Sequence, residues 1–379
     1  MFEMTQNNFL IFSDLKLTKS QIKKYQKYLM EWYQKNKRDL PWRRTNDPYL
    51  IWVSEVMAQQ TQIQTVIPYY ERFVKRFPNV KQLAEADLRE VLKLWEGLGY
   101  YGRARNMHRA AKQLLAAQQN RLPDQLVALQ KLAGIGEYTA AAIASVAFEL
   151  PHAVVDGNVY RVLARLFEIS LPINQSSSSK TFELLAQELL SQSNPGDYNQ
   201  AIMELGALVC TPKKPNCQHC PVSDSCRSYQ VGSVDQYPVK IKPKSRPEYQ
   251  IAIAVIVKKD RVLITKRKNE GLLGGLWEFP GGKIEIGETA QEACVREAKE
   301  EVNLNVEVYE PIKTLSHGYT HFKVNLSVFL CRYISGRVKL NSPVDHQWVK
   351  ISQIDRYPFP AANKKFIPEL NQYLTETSK

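Results

Sequence analysis

The chain has 379 residues, too many for one ordinary core and enough for two or three domains. Apolar residues make up 44%, as in soluble globular proteins, and no apolar run reaches the ~18 residues that a membrane helix needs. Net charge is +13, with Lys and Arg in excess in both halves; this favours a polyanionic partner without separating DNA from RNA or an acidic protein.

Residues 20–227 read as almost entirely helical. Apolar residues at helical spacing, with Pro, Gly or Asn near the ends, predict helices over 19–33, 48–59, 65–76, 88–95, 104–117, 138–148, 159–168 and 181–192. The four serines at 176–179 read as a loop. Residues 228–249 carry prolines and a run of Lys240, Lys242, Lys244 and Arg246, which reads as a linker. Beyond it the character changes: segments 251–257, 262–265, 323–333 and 347–349 are rich in Val, Ile and Phe and read as strands, and one strong helix covers 289–302. The expected organisation is multidomain, an all-α domain over 1–227, a basic linker over 228–249 and an α+β domain over 250–379. Residues 1–13 show no secretory signal, and Cys294 and Cys331 suggest no disulfide framework; both point to the cytoplasm.

Four further cysteines, Cys210, Cys217, Cys220 and Cys226, fall within one compact loop. A structural zinc site usually pairs two C-x-x-C knuckles across a dozen or more residues, and here there is one such knuckle. Four thiolates in a tight loop suit a [4Fe–4S] cluster better. Earlier in the chain, Leu132-Ala133-Gly134-Ile135-Gly136 joins two helical segments, and the glycines permit a tight hairpin whose backbone N–H groups can face a phosphate. Asp156 follows an apolar run and precedes a helix. A carboxylate at a helix N-terminus is stabilised when ionised, which suits a nascent sugar cation. Glu55 lies among Ile51, Trp52, Val53, Val56 and Met57. Partial burial there would hold a proton near neutral pH, as a general acid needs.

Glu55 with Gln59-Gln60-Thr61, the Gly134–Gly136 hairpin, Asp156-Gly157-Asn158 and the cysteine quartet together resemble adenine DNA glycosylases of the MutY type, from about Arg38 to the C-terminal region. The endonuclease III group shares the hairpin, aspartate and cluster, but has at position 138 a lysine that attacks the sugar; Tyr138 cannot form an imine. The resemblance implies a monofunctional enzyme acting as a monomer on double-stranded DNA with A:8-oxoguanine or A:G mispairs. Glu55 would protonate adenine, Asp156 would stabilise the sugar cation, and Tyr138 and Asn158 would support Asp156. Gln60 and Tyr100 would wedge into the duplex while adenine leaves the stack. Lys213 and Lys214, between the first two cysteines, would meet phosphates. An endonuclease III-like glycosylase/lyase is the alternative.

In the second half, Gly282-x5-Glu288-x7-Arg296-Glu297-Ala298-Lys299-Glu300-Glu301 is a nearly complete Nudix box, with Asn303 where a glycine is usual. Glu297, Glu300 and Glu301 are candidate Mg²⁺ ligands. The flanking Leu276–Lys283 stretch resembles MutT-type hydrolases of oxidised guanine nucleotides, in which Asn363 matches a guanine-contacting asparagine, a candidate lesion contact. In adenine glycosylases such a domain recognises 8-oxoguanine, and Ser316 and His317 match its contact loop. An additional 8-oxo-dGTP pyrophosphatase activity is the other expectation that the box raises.

Overall fold

The computed structural model describes residues 17–242, 245–319 and 321–376, which divide into two compact units. The first comprises residues up to Gln82 and Arg109–Pro243; the second comprises Leu83–His108 and Lys244 onward.

The first unit is helical. Helix α1 (Lys19–Asn36) starts at a Thr18–Gln21 capping box, which satisfies otherwise orphaned N–H groups. It buries Tyr25, Leu29 and Tyr33, spaced at i and i+4 on one face, against α9 (Gly157–Phe167), α10 (Ser176–Leu189) and α11 (Pro195–Leu208). Helix α2 (Pro48–Ala58) is capped by Asp47, and its apolar residues are buried around most of its circumference. That degree of enclosure requires cover on several sides. Helix α3 (Ile63–Arg76) follows it, and the alanine-rich α8 (Glu137–Phe148) packs on it. In chain order, α4 (Val80–Glu85), α5 (Leu88–Trp95), α6 (Gly102–Ala116) and α7 (Leu126–Gln130) come between these, and α12 (Arg227–Val231) follows α11; α5 and the start of α6 group with the second unit. No helix among the described residues is long and apolar enough to cross a membrane.

Residues 228–242 differ from the expected linker. Arg165 donates to the carbonyls of Val234 and Tyr237, the Ile173 N–H donates to the Val239 carbonyl, and Asn174 brackets Ile241 through both amide groups. Polar partners on the helical unit therefore hold a segment whose composition alone suggests a tether. The serines at 176–179 likewise open α10 rather than forming a loop, with Ser178 buried in the core.

The second unit is built on a mixed sheet of order β3-β2-β1-β6-β5, where β4 also pairs with β1 and β7 with β2. Its strands are β1 (Glu248–Lys258), β2 (Arg261–Lys266), β3 (Trp277–Glu278), β4 (Gly281–Lys283), β5 (Asn305–Gly318), β6 (Lys323–Ser335) and β7 (Asp345–Lys350). Among the described strands only β1 and β6 run parallel. Both sheet faces are covered, which explains the continuous apolar runs. Ala252, Ala254 and Ile256 face α13 (Ala290–Val302), whereas Ile253 and Val255 share a core with Phe359, Phe366 and Leu370. The last two residues belong with the segment around α14 (Ala361–Lys364) and α15 (Ile367–Glu376).

Residues 83–108 group with this unit by proximity. Arg105 donates to the Gly274 carbonyl, and the Tyr101 hydroxyl donates to the Phe359 carbonyl at 3.2 Å. These long-range polar bonds leave no trace in local periodicity.

Candidate active site

Within the helical unit a cleft of about 710 Å³ is lined by Glu55, Gln60, Gly134, Gly136, Tyr138, Asp156 and Asn158 among others. Residues expected to act together from three separate stretches thus face one space. Helix α2 supplies Glu55, α8 supplies Tyr138, and Asp156 is the N-cap of α9.

Asp156 accepts the backbone N–H groups of Asn158 and Val159, each at 2.8 Å, and the Asn158 side-chain amide at 2.8 Å. Burial raises its pKa, and these donors with Arg161 offset only part of that rise. Asn158 is itself held: Arg161 donates to its Oδ1 at 2.9 Å, to the Gly206 carbonyl at 2.6 Å and, through Nε, to the Cys210 carbonyl at 2.7 Å. Gly206 allows this approach, since a Cβ there would lie 2.6 Å from the Asn158 Cβ. A chain of hydrogen bonds consequently runs from the carboxylate to the first cysteine.

Glu55 has a poorer set of donors. The Tyr138 hydroxyl donates to its Oε2 at 3.0 Å. Tyr138 thus bonds to Glu55, whereas the Asn158 amide bonds to Asp156. Burial pushes Glu55 up to about 7; the charge of Asp156 adds to this, while Tyr138 and Arg43 oppose it. When two carboxyls share a cleft, the first proton leaves the one with more N–H donors. That is Asp156, so Glu55 is the group that keeps a proton.

The cleft also holds residues that sequence reasoning left without a role. Glu204, with its side chain 1% exposed, is gripped by Arg38 (2.6 Å) and Arg43 (2.9 Å). Burial opposes its ionisation, but the two guanidiniums bring it down to about 2. Its signal was available: Ile202-Met203-Glu204-Leu205 places an acid among apolar neighbours, as at Glu55.

The 132–136 hairpin turns at Gly134, whose φ of 76° disfavours any side chain, and Ile135 anchors it in the interior. Gly136 caps α8 without a side chain of its own, so the first N–H groups of that helix stay open to an anion. Gln60 is exposed with φ of 55°, and Tyr100 is 41% exposed with φ of 49°. Both candidate wedges thus sit in left-handed backbone.

The four thiols of Cys210, Cys217, Cys220 and Cys226 border one small cavity with Arg165, whose Nη1 lies 3.4 Å from the Cys210 sulfur. Among the described residues no three His, Cys, Asp or Glu side chains are grouped so as to hold a single ion. Four thiols around a cavity, with a guanidinium to stabilise their charge, fit an iron–sulfur cluster. Lys213 and Lys214 are exposed on the same loop, which the Thr211 hydroxyl tightens by donating to the Lys213 carbonyl at 2.9 Å.

In the second unit, His317 lines a cleft with Tyr100, Leu272 and Phe322, and Ser316 is exposed beside it. Asn363, the match to a guanine-contacting asparagine, is 6% exposed. Arg296 pairs with Glu288 (2.6 Å), Glu297 (3.0 Å) and Glu300 (3.1 Å). Glu301 accepts from the Gly281 N–H and the Ser342 hydroxyl; burial and the nearby Glu278 push it up to about 7. Asn303 takes the left-handed C-cap at φ of 57°, in place of the usual glycine.

Residues 53–189 match the HhH-GPD superfamily base excision DNA repair protein family, 210–226 the iron-sulfur binding domain of endonuclease III, and 252–369 the NUDIX domain. The adenine DNA glycosylase of Rattus norvegicus is 36% identical over 373 residues, covering 84% of this chain and 72% of that protein. That of Arabidopsis thaliana is 38% identical over 356 residues, covering 80% of this chain; the chain spans 56% of that longer relative. The structure of a thermostable thymine-DNA glycosylase aligns with 55% of this chain and 97% of its own, at 28% identity and a TM-score of 0.51. With its helical glycosylase unit, iron–sulfur loop and Nudix unit, the chain belongs to the adenine DNA glycosylases, base excision repair enzymes that hydrolyse N-glycosidic bonds.

Proposed function

We propose that this chain excises adenine opposite 8-oxoguanine or guanine in double-stranded DNA, as a monomer and without a lyase step. The observation that supports this most is the pairing of Glu55 and Asp156 in one cleft, with the Tyr138 phenol where a lyase needs an amine. Glu55 donates its proton to N7 of the extruded adenine, and the glycosidic bond then breaks with its electron pair leaving on the base. The positive charge left on the sugar is balanced by Asp156, whose N–H donors keep it ionised. Water adds to the sugar carbon, and its proton returns to Glu55. Gln60 and Tyr100 hold the duplex open, and the Gly134–Gly136 backbone grips phosphate without reading sequence.

The four cysteines would hold a [4Fe–4S] cluster, which when bound cross-links the 210–226 loop and keeps Lys213 and Lys214 at the DNA backbone. Ser316 and His317 serve as lesion contacts. The Nudix unit reads the lesion, and hydrolysis of 8-oxo-dGTP is the alternative reading of its carboxylates. Turnover of 8-oxo-dGTP with Mg²⁺ that is lost in Glu300→Gln and Glu301→Gln variants would establish that alternative.

Single-turnover cleavage of a duplex with one adenine opposite 8-oxoguanine tests the whole reading. Strand breaks should appear only after alkali, and borohydride should trap no adduct. Breaks before alkali together with efficient trapping would establish a lyase instead.

A further inference from the structure

The turn Gly97–Tyr101 carries Tyr100 between α5 and α6 and is fastened at both ends to one residue of the Nudix unit. On one side Glu96, with its side chain 5% exposed, accepts the Phe359 N–H at 2.9 Å. On the other, the Tyr101 hydroxyl donates to the Phe359 carbonyl at 3.2 Å. Phe359 is itself fixed, 2% exposed and stacked on Phe279. Glu96 also takes the ammonium groups of Lys93 at 2.8 Å and Lys364 at 2.9 Å, which compensate its buried charge. Within the turn, Trp95 donates to the Gly99 carbonyl at 3.1 Å, and the Arg103 guanidinium lies over both the Trp95 and Tyr100 rings. This framework sets the left-handed backbone from which Tyr100 projects, 41% exposed.

We infer that Glu96 is a positioning residue for base extrusion: with Tyr101 it clamps the Tyr100 turn to Phe359, so that the Nudix unit holds the wedge as well as reading the lesion. The inference rests on the proposed wedging role of Tyr100. A flexible turn could still carry an exposed tyrosine, but it would spend part of the binding energy on ordering it. Substitution of Glu96 should therefore slow the opening of a paired duplex and leave the chemistry on an unpaired adenine intact.

The test uses the full-length protein under single-turnover conditions, with Glu96→Gln and Tyr101→Phe as independent variants and Tyr100→Ala as reference. One substrate places the A:8-oxoguanine mispair in a fully paired duplex; the other flanks the same mispair with unpaired bases. Fluorescence of 2-aminopurine beside the mispair reports extrusion. Glu96→Gln should slow excision and extrusion on the paired duplex roughly ten-fold, as for one hydrogen bond to a charged group, and Tyr101→Phe about five-fold, as for a neutral one. Neither should slow the unpaired substrate or add to Tyr100→Ala. Equal slowing of both substrates, full additivity with Tyr100→Ala, or an unchanged paired-duplex rate would overturn the clamp. If Tyr100→Ala slows the paired duplex and the two clamp variants do not, the clamp alone falls. If Tyr100→Ala has no effect, the wedge falls and takes the clamp with it.

Discussion

Glu55 and Asp156 in the helical unit share a cleft in which neither is bonded to a guanidinium, whereas Glu288, Glu297 and Glu300 in the Nudix unit converge on the single guanidinium of Arg296. In the first arrangement burial and mutual charge push Glu55 up to about 7, and the donor sets differ enough to assign one proton to one group. In the second, Arg296 pulls Glu288 below the usual carboxylate range, and the cluster becomes a fixed brace across the loop–helix junction. The lesson is that clustered acids acquire reactivity from unequal compensation, not from their number.

The largest expected effect tests this contrast directly. Glu55→Gln should lower single-turnover adenine excision by about 10³-fold, the scale of a lost general acid. Asp156→Asn should lower it by a similar order while leaving melting nearly unchanged, since asparagine caps a helix as well as aspartate. Glu300→Gln should leave the same rate within about two-fold, given an exposed pair worth little. A comparable loss in Glu300→Gln would erase the distinction between the two regions.

Next in size is a structural contrast inside the helical unit. Glu204→Gln should destabilise the protein by about 3 kcal/mol, because two guanidiniums then face a buried neutral group. Chemical denaturation measures this. Glu204 is held near 2 in the folded chain against an ordinary 4.5, so its contribution is present above pH 4.5 and is lost as pH falls toward 2. Glu55 has the opposite sign. Its folded value lies above the unfolded one, so its contribution is full below pH 4.5 and disappears as pH rises through about 7.

The same titration governs rate. Excision should decline above pH about 7, approaching ten-fold per unit, as Glu55 loses its proton; a flat profile to pH 9 would contradict the acid role. The smallest effect belongs to the cluster loop. Replacing both Lys213 and Lys214 with alanine should weaken DNA binding with little change in saturated excision rate, and should reduce the salt slope by about 2, roughly one per phosphate contact. An unaltered slope would place these lysines away from the backbone.

Much of this was readable in advance where a residue's role depends on near neighbours. The cysteine spacing, the Gly134–Gly136 hairpin, the apolar setting of Glu55 and the cap position of Asp156 are all local, and the structure gathers the last three at one cleft. Strand β5 was not read, because it carries Glu307, Glu310, Pro311 and Lys313 and its pairing with β6 shifts register three times. It lies at the sheet edge, where proline and irregular alternation are tolerated. Nor does local sequence report which face of a short helix the core will cover, as at Asn363.

The sequence by itself determined the chemistry: which acids, which thiols and which turn residues are available, since these follow from side-chain identity and short-range spacing. Only the tertiary structure decided their partners. It gave Tyr138 to Glu55, tied Asn158 through Arg161 to the Cys210 carbonyl, and joined Glu96 and Tyr101 to the backbone of Phe359. Each depends on hydrogen bonds between segments far apart in the chain, whose formation is set by packing of whole elements and has no signature in any single window of residues.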